Sequence, residues 1–290
     1  MDDDLPWHEG ELAAQALAGL EHAPGGAGVR DFMPDQHRAF FAQLPFIVAA
    51  TVDETGAPAA TLLTGEPGFV SSPNPKVLAI LATAADPTGR LFVPEAPIGL
   101  LGLEPHTRRR NRANGRIAFA NADGMLVEVR QSFGNCPQYI HPRLLAAVPR
   151  QGGVVAFEGL DADARAQVAA ADTFFVATAS GPQVEHGGID VSHRGGPEGF
   201  VRIDGDVLTI PDYRGNRYFN TLGNLLLEPR AALLFVDWAS GQMLQLQGRA
   251  EVLWTARDLP HAERTWRFTV ERGWRANSGL RLAAATDLAA

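Results

Sequence analysis

The chain of 290 residues contains a single cysteine, Cys136, and no excess of positive charge. One thiol cannot form an intramolecular disulfide, and no CxxC pair is present to bind zinc. Long apolar runs are also absent, so no segment has the length of a bilayer-spanning helix. The 25 basic residues stand against 33 acidic ones, and this net charge of −8 argues against a general nucleic-acid-binding role.

The N-terminus lacks the features of a secretion signal. Met1 is followed by three aspartates, whereas a signal peptide begins with basic residues and continues with an apolar run. We therefore expect a cytoplasmic protein with no membrane partner. The hydrophobic fraction of 46% supplies enough apolar surface for a core.

Helical patterns are confined to a few segments. Residues 9–20 carry an apolar stripe, and a second helix opens at Pro34 and ends before Pro45. A third helix is predicted over residues 160–171, with Asp161 as its N-cap.

Most of the remaining sequence consists of short β patterns separated by glycine, proline and aspartate. This punctuation predicts a mainly β fold with flanking helices, of the β-barrel or α+β type. The clearest runs are residues 46–51, 59–63, 77–81, 173–178 and 265–271.

Four segments of the first half recur in the second half in the same order. One such match is expected by chance in a β protein, but four collinear matches favour a duplication. Two like units in one chain can pack around a pseudo-two-fold axis, as a homodimer does. The matched pairs are 46–51 with 174–178, 65–70 with 196–201, 77–80 with 207–210, and 100–116 with 233–249. The resulting division is a helical segment 1–45, a first barrel unit 46–150, a helical linker 151–172 and a second barrel unit 173–290.

The second unit contains a dense cluster of arginines and small polar residues. Ser192 and Arg194 lie on one predicted strand, and a second polar segment follows at residues 213–217. Arginine offers a planar fork of donors that suits phosphate, and serine and asparagine add neutral donors. A specific anion site is one interpretation of this cluster, and a set of surface ion pairs is the other.

At this point the chain resembles a known family, the pyridoxamine 5′-phosphate oxidase-like FMN-binding split barrels. The resemblance depends on Ser192 and Arg194, on the segment Tyr213-Arg214-Gly215-Asn216-Arg217, and on the Gly-Arg pairs at 115–116 and 248–249. The opening Trp7-His8-Glu9-Gly10-Glu11 and the segment Phe133-Gly134-Asn135-Cys136-Pro137 resemble a subgroup with two units in tandem.

The resemblance implies that the chain binds FMN between its two barrels. The phosphate would be held by the second unit, and the flavin ring would face a strand of the first unit. The implied cofactor-binding residues are Asp190, Val191, Ser192, Arg194, Tyr213, Arg214, Asn216, Arg217, Arg110, Asn111 and Arg112. Strand alternation would direct Arg110 and Arg112 to one side and Asn111 to the other.

The two units are not equivalent in these residues. The first unit has Thr61-Leu62-Leu63-Thr64 where we align Val191-Ser192-His193-Arg194, and residues 86–90 where we align 212–217. The second unit has residues 243–247 where the first has 110–114. We therefore expect one FMN site per chain and one degenerate counterpart.

Two residues near the cluster keep alternative interpretations. Cys136 either borders the flavin or is a buried structural thiol. His193 alternates away from Ser192 and Arg194, which favours a core or surface position over a proton donor.

Three functions remain open at the level of sequence. The first is an FMN-dependent oxidoreductase with a small-molecule substrate or reductant, no bound metal and no assigned catalytic residue. The second is a non-catalytic protein that binds flavin, haem or deazaflavin. The third is a structural barrel that acts through protein contacts. Beyond the pseudo-dimer within the chain, association into a homodimer stays open.

Overall fold

The computed structural model describes residues 6–24, 26–82, 91–256 and 259–283. Residues 86–90, which we aligned with 212–217, lie outside the described residues. In the part of the chain that is described, no helix combines the length and the apolar character needed to cross a membrane.

The fold is mainly β with flanking helices, as predicted. The first antiparallel sheet has the order β2-β1-β5-β6-β7-β4-β3. Its strands, numbered in chain order, are β1 (Phe46–Val52), β2 (Pro58–Thr64), β3 (Val70–Asn74), β4 (Val77–Ile80), β5 (Pro97–Glu104), β6 (Arg109–Asn121) and β7 (Gly124–Gly134).

The second sheet repeats this order as β11-β10-β14-β15-β16-β13-β12. Its strands are β10 (Thr173–Ala179), β11 (Ile189–Gly195), β12 (Arg202–Asp204), β13 (Val207–Asp212), β14 (Arg230–Val236), β15 (Gln242–Leu253) and β16 (Arg264–Asn277). A further strand, β9 (Val155–Glu158), pairs with β16, so the predicted helical linker 151–172 contains a strand as well as a helix. The short strands β8 (Leu145–Ala147) and β17 (Leu280–Leu282) pair with each other.

A β-bulge lies at the same place in both sheets. The register shifts before Gly115 in β6 and before Gly248 in β15. A Cβ on Gly115 would lie 1.9 Å from the carbonyl oxygen of Glu128, and one on Gly248 would lie 2.0 Å from that of Thr269. Only glycine allows this approach, which explains why the Gly-Arg pair recurs in the sequence.

Four helices flank the sheets within the described residues. They are α1 (Glu9–Leu17), α2 (Asp35–Ala42), α3 (Ala162–Ala170) and α4 (Asn220–Leu227). The predicted N-cap of α3 is confirmed, because the Asp161 carboxylate accepts a hydrogen bond of 2.9 Å from the backbone N–H of Ala164. Helix α4 was not predicted from the sequence.

The two halves share a hydrophobic core. On β10, Phe174 points into the core of its own sheet, whereas the next residue, Phe175, points toward the first half. The shared core combines Phe46, Val48, Leu62 and Leu101 of the first half with Phe175, Val191, Leu234 and Met243 of the second. The packing of the two halves therefore places β5 of the first sheet against β11 of the second and brings Arg112 of β6 to Ser192 of β11.

Candidate functional site

A cleft opens where the two halves meet. Its walls come from β6 and the segment 135–139 that follows β7 in the first half, and from β11, most of residues 211–222 and residues 263–264 in the second half. Seven of the eleven predicted cofactor-binding residues border it: Arg110, Arg112, Ser192, Arg194, Tyr213, Asn216 and Arg217.

Most of β11 after Val191 borders the cleft. Ser192 and Arg194 face it, whereas the side chain of Val191 is fully buried in the shared core. Val191 therefore brings no side chain to the site. His193 is buried against the ring of Phe175, but it also borders the cleft, which alternation did not predict; burial holds its pKa well below the usual range.

Strand alternation also determines the side-chain directions on β6. Arg110 and Arg112 border the cleft, and Asn111 is buried outside it, so its side chain is not placed to contact a ligand there. Burial lowers the pKa of Arg110 to about 10, and its Nε has no hydrogen-bond partner. Arg110 thus presents a largely buried guanidinium with an unused donor.

Arg112 connects the two halves through several hydrogen bonds. Its Nη2 donates to Ser192 Oγ at 2.6 Å, and its Nη1 lies 3.2 Å from Asp190 Oδ1. Its Nε donates to Asn135 Oδ1 at 3.0 Å. Arg112 is 7% exposed and Asp190 8%, so this is a buried ion pair. Asp190 acts as the anchor of Arg112, behind the cleft and not in its lining.

A second group of charges forms the opposite wall. Arg194 Nη1 donates to Asp212 Oδ1 at 2.6 Å, and Arg264 Nη1 donates to Asp212 Oδ2 at 2.9 Å. Arg264 also bonds Glu263 at 3.0 Å. Asp212 and Arg264 were missed in the sequence. Asp212 directly precedes the predicted segment 213–217, but nothing in the sequence marked Arg264.

The predicted loop residues lie at the mouth of the cleft. Arg214, Asn216 and Arg217 are exposed. The side chain of Asn216 accepts a hydrogen bond of 3.1 Å from the backbone N–H of Tyr218. The backbone carbonyl of Arg214 accepts a 3.0 Å bond from the hydroxyl of Tyr139, but Arg214 does not border the cleft.

Aromatic rings and unusual backbone conformations occur together at this mouth. The rings of Tyr139 and Tyr213 stack at a centroid distance of 5.4 Å. Tyr139, Arg217 and Phe219 all have positive φ angles, of 63°, 62° and 62°. Non-glycine residues rarely adopt this conformation, and such strained positions cluster at functional sites.

The first turn of α4 also faces the cleft. Its N-cap, Phe219, makes no side-chain capping bond, and Asn220, Thr221 and Leu222 border the cleft. The first N–H groups of a helix lack intrahelical acceptors and carry a partial positive charge, which suits an anion. This helix start is a site feature that the sequence analysis did not identify.

Cys136 lies in the cleft and is half-buried. Of the two alternatives for Cys136, the buried structural thiol is therefore wrong. The residue is brought there because β7 ends at Gly134 and the chain then runs along the boundary between the halves.

The equivalent position in the first sheet lacks this chemistry. Ala49 on β1 and Val176 on β10 occupy equivalent positions in the two sheets. Thr61 pairs with Ala49, and Ser192 pairs with Val176. Our sequence alignment was therefore wrong by one residue, and Thr61, not Leu62, corresponds to Ser192. By the same register, Leu63 corresponds to Arg194.

The facing strand differs in the same way. Pairing with β5 and with β14 confirms that residues 110–114 correspond to 243–247. Met243 and Gln245 thus replace Arg110 and Arg112, and the Thr61 hydroxyl lies 3.9 Å from the sulfur of Met243. Within the described residues, the equivalent position therefore lacks counterparts of Arg110, Arg112 and Arg194.

Comparison with known proteins finds a family match in the second half of the chain. Residues 160–274 are similar to the family described as pyridoxamine 5′-phosphate oxidase. The match includes β11, the loop 213–219, α4 and Arg264, and hence the second-half wall of the cleft. The relation of the first half to the same family stays a prediction.

No curated protein sequence matches the chain significantly. Among solved structures, a Group A Streptococcus HupZ variant is 13% identical with a TM-score of 0.31, covering 40% of this chain and 98% of its own. A FAD-binding protein from Mesorhizobium loti is 15% identical with a TM-score of 0.30, covering 42% and 97%. The Bacillus subtilis inhibitor of motility is 11% identical with a TM-score of 0.23, covering 86% and 93%. Similarities this weak bear on neither fold nor function.

Proposed function

We propose that the chain is an FMN-binding flavoprotein of the oxidoreductase class, with one cofactor cleft between two barrel units that form a pseudo-dimer. The main support is the convergence of arginines from both halves on one cleft. The five are Arg110, Arg112, Arg194, Arg217 and Arg264. Three carboxylates are associated with them: Asp190, Asp212 and Glu263. The surplus of positive charge suits a phosphate dianion, in a chain whose net charge is −8.

The arginines of the cleft walls keep donor capacity that no described residue uses. The Nε atoms of Arg110 and Arg194 are buried without a hydrogen-bond partner. Nothing lies within 4 Å of a Cβ built on Gly215, so the backbone of this loop is open to a ligand. Together with the uncapped first turn of α4, these groups would hold the FMN phosphate.

The residues of this chain would bind and orient the cofactor. Arg194, Arg217 and the start of α4 would hold the phosphate, with Arg112 fixing Ser192 beside it. Arg110 and the tyrosines at the mouth would border the ring and its substrate. FMN supplies the hydride chemistry when bound, and the protein contributes binding, orientation and electrostatics.

The first test is the absorbance spectrum of the purified protein after FMN addition and desalting. We expect about one FMN per chain, because the counterparts of Arg110, Arg112 and Arg194 are Met243, Gln245 and Leu63. Two FMN per chain would contradict the single site. A Soret band or an absence of retained flavin would favour the haem, deazaflavin or structural alternatives.

A pair of variants tests the assignment of the cleft. Arg194→Ala combined with Arg217→Ala should weaken FMN binding by at least about tenfold, because charge-assisted hydrogen bonds contribute about 1.5–3 kcal/mol each. Arg202→Ala is the matched control, since Arg202 is an exposed arginine on β12 that does not border the cleft. Equal affinity of all three proteins in a fluorescence titration would refute the assignment.

A further inference from the structure

The N-terminal motif Trp7-His8-Glu9-Gly10-Glu11 lies directly behind the cleft. Helix α1 crosses α4 at two glycines. A Cβ on Gly10 would lie 2.3 Å from the carbonyl oxygen of Gly223, and one on Gly223 would lie 2.6 Å from Glu11 Cα. This backbone-to-backbone contact places the side chain of Glu11 against the start of α4.

Both carboxyl oxygens of Glu11 accept hydrogen bonds. Its Oε2 accepts from the backbone N–H of His8 at 3.0 Å, while His8 Nδ1 accepts from the N–H of Gly10 at 3.1 Å. Its Oε1 accepts from Asn220 Nδ2. Glu11 is 3% exposed, so no water competes for these bonds. The first two hydrogen bonds cap the N-terminus of α1, and the third connects Glu11 to Asn220, which borders the cleft.

Asn220 links Glu11 to Arg112 at the cleft. Because its amide nitrogen donates to Glu11, its oxygen is available to accept from Arg112 Nη1 at 3.3 Å. Arg112 in turn donates to Ser192, and Ser192 also accepts from Thr221 at 3.0 Å. A chain of hydrogen bonds therefore runs from Glu11 through Asn220 and Arg112 to Ser192.

The charges around Glu11 are few. On its own helix start the titratable neighbours are His8 and Glu9, on β11 the neighbour is Asp190, and on β6 it is Arg112. Burial, with a further contribution from the charge of Asp190, raises the pKa of Glu11 to about 8. Burial lowers the pKa of His8, so this imidazole is neutral near pH 7. The buried ion pair of Asp190 and Arg112 lies beside Glu11, and burial favours the protonated form of the Glu11 carboxyl.

We propose that Glu11 is a positioning residue of the cleft: its neutral carboxyl orients Asn220, Arg112 and Ser192 for an anion, and its ionisation weakens anion binding. This inference rests on the proposed function, since the anion is the FMN phosphate. An ionised Glu11 adds negative charge behind the phosphate position and partly neutralises the positive charge of Arg112.

The test is a fluorescence titration of FMN from pH 7 to 9.5 with the full chain and three variants. Wild-type affinity should fall by about tenfold as the pH rises through 8, a loss expected from one added charge near the phosphate. Glu11→Gln still offers an acceptor to Asn220 and cannot ionise, so its affinity should stay constant with pH. Glu11→Ala should bind about tenfold more weakly at every pH, because the bond to Asn220 is lost.

Glu9→Gln is the matched control, because Glu9 is an exposed acid on the same helix; it should keep the wild-type pH profile. Parallel profiles of the wild type and Glu11→Gln would overturn the inference. Failure of the wild type to bind FMN at pH 7 would instead overturn the proposed function.

Unfolding of the flavin-free protein gives an independent measurement. The pKa of Glu11 is higher in the folded than in the unfolded state, so its contribution to stability is present at low pH and is lost as the pH rises through about 8. The control Glu9→Gln should therefore lose thermal stability between pH 6 and 9, and Glu11→Gln should lose less. An equal loss in both would show that Glu11 does not retain a proton in the folded state.

Discussion

At the scale of single residues, the buried ion pair of Arg112 and Asp190 favours a specific binding site over the alternative interpretation, a set of surface ion pairs. Exposed pairs contribute little to stability and need no special environment. This pair is more than nine-tenths buried, and its members come from different halves of the chain. Asn114 and Asn224 donate further hydrogen bonds to Asp190, at 2.7 and 3.3 Å. The network holds an arginine rigidly at the edge of the cleft.

Removal of this arginine should be strongly destabilising. Arg112→Met leaves Asp190 buried without its ion-pair partner, and the free energy of unfolding should fall by about 3 kcal/mol. Urea unfolding of the flavin-free protein measures this change in the free energy of unfolding. The double variant with Asp190→Asn removes the uncompensated charge and should recover part of the loss. Equal stability of Arg112→Met and the wild type would mean that the pair is not buried in solution.

At the scale of elements, the crossing of α1 and α4 positions the back of the site. The two helices approach closely because glycines occupy the contact, and α1 thereby delivers Glu11 to Asn220. Trp7 packs on Tyr218 at a ring distance of 4.6 Å and donates through Nε1 to the carbonyl of Pro24 at 2.8 Å. The N-terminal segment is thus a part of the site that precedes both sheets in sequence.

A single methyl group tests this crossing. Gly10→Ala places a Cβ against the backbone of α4, and we expect a loss of about 1–3 kcal/mol in the free energy of unfolding, as for overpacked cores. Limited proteolysis should then cut the N-terminal segment first. Gly153→Ala is the control, because nothing lies within 4 Å of its Cβ. Similar stability of both variants would contradict the close crossing.

At the scale of the whole molecule, the shared core makes the two sheets dependent on each other. Each sheet contributes fully buried aliphatic and aromatic side chains to one cluster, so separation would expose an apolar face. The β5 strand of the first sheet also lies against β11 of the second, and the equivalent β14 lies against β2. This reciprocal arrangement is what a pseudo-two-fold axis produces.

Expression of residues 151–283 alone should therefore give an unstable product. We expect it to self-associate in size-exclusion chromatography and to bind a hydrophobic dye, since the face that carries Phe175 and Leu234 loses its cover. The full chain under the same conditions is the control. A stable monomeric half with native near-ultraviolet dichroism would show that the shared core is dispensable.

The sequence by itself determined the features that depend on local periodicity and on residue type. Alternation predicted the mainly β fold and the opposite directions of Arg112 and Asn111, and the recurring Gly-Arg pair marked the bulge that both sheets share. Arginine-rich segments marked the cleft, because few other residues suit a phosphate. Each of these inferences needs only neighbouring residues.

Only the tertiary structure determined which of the site residues contact each other. Arg112 and Asp190 are 78 positions apart, and Glu11 and Asn220 are 209 positions apart. Whether such residues meet depends on strand register and on the packing of two sheets and two helices, none of which is encoded in a local pattern. A shift of one residue in register was enough to misassign Thr61, because successive side chains of a strand face opposite sides. The residue types of the site are thus legible in the sequence, whereas their contacts are a property of the fold.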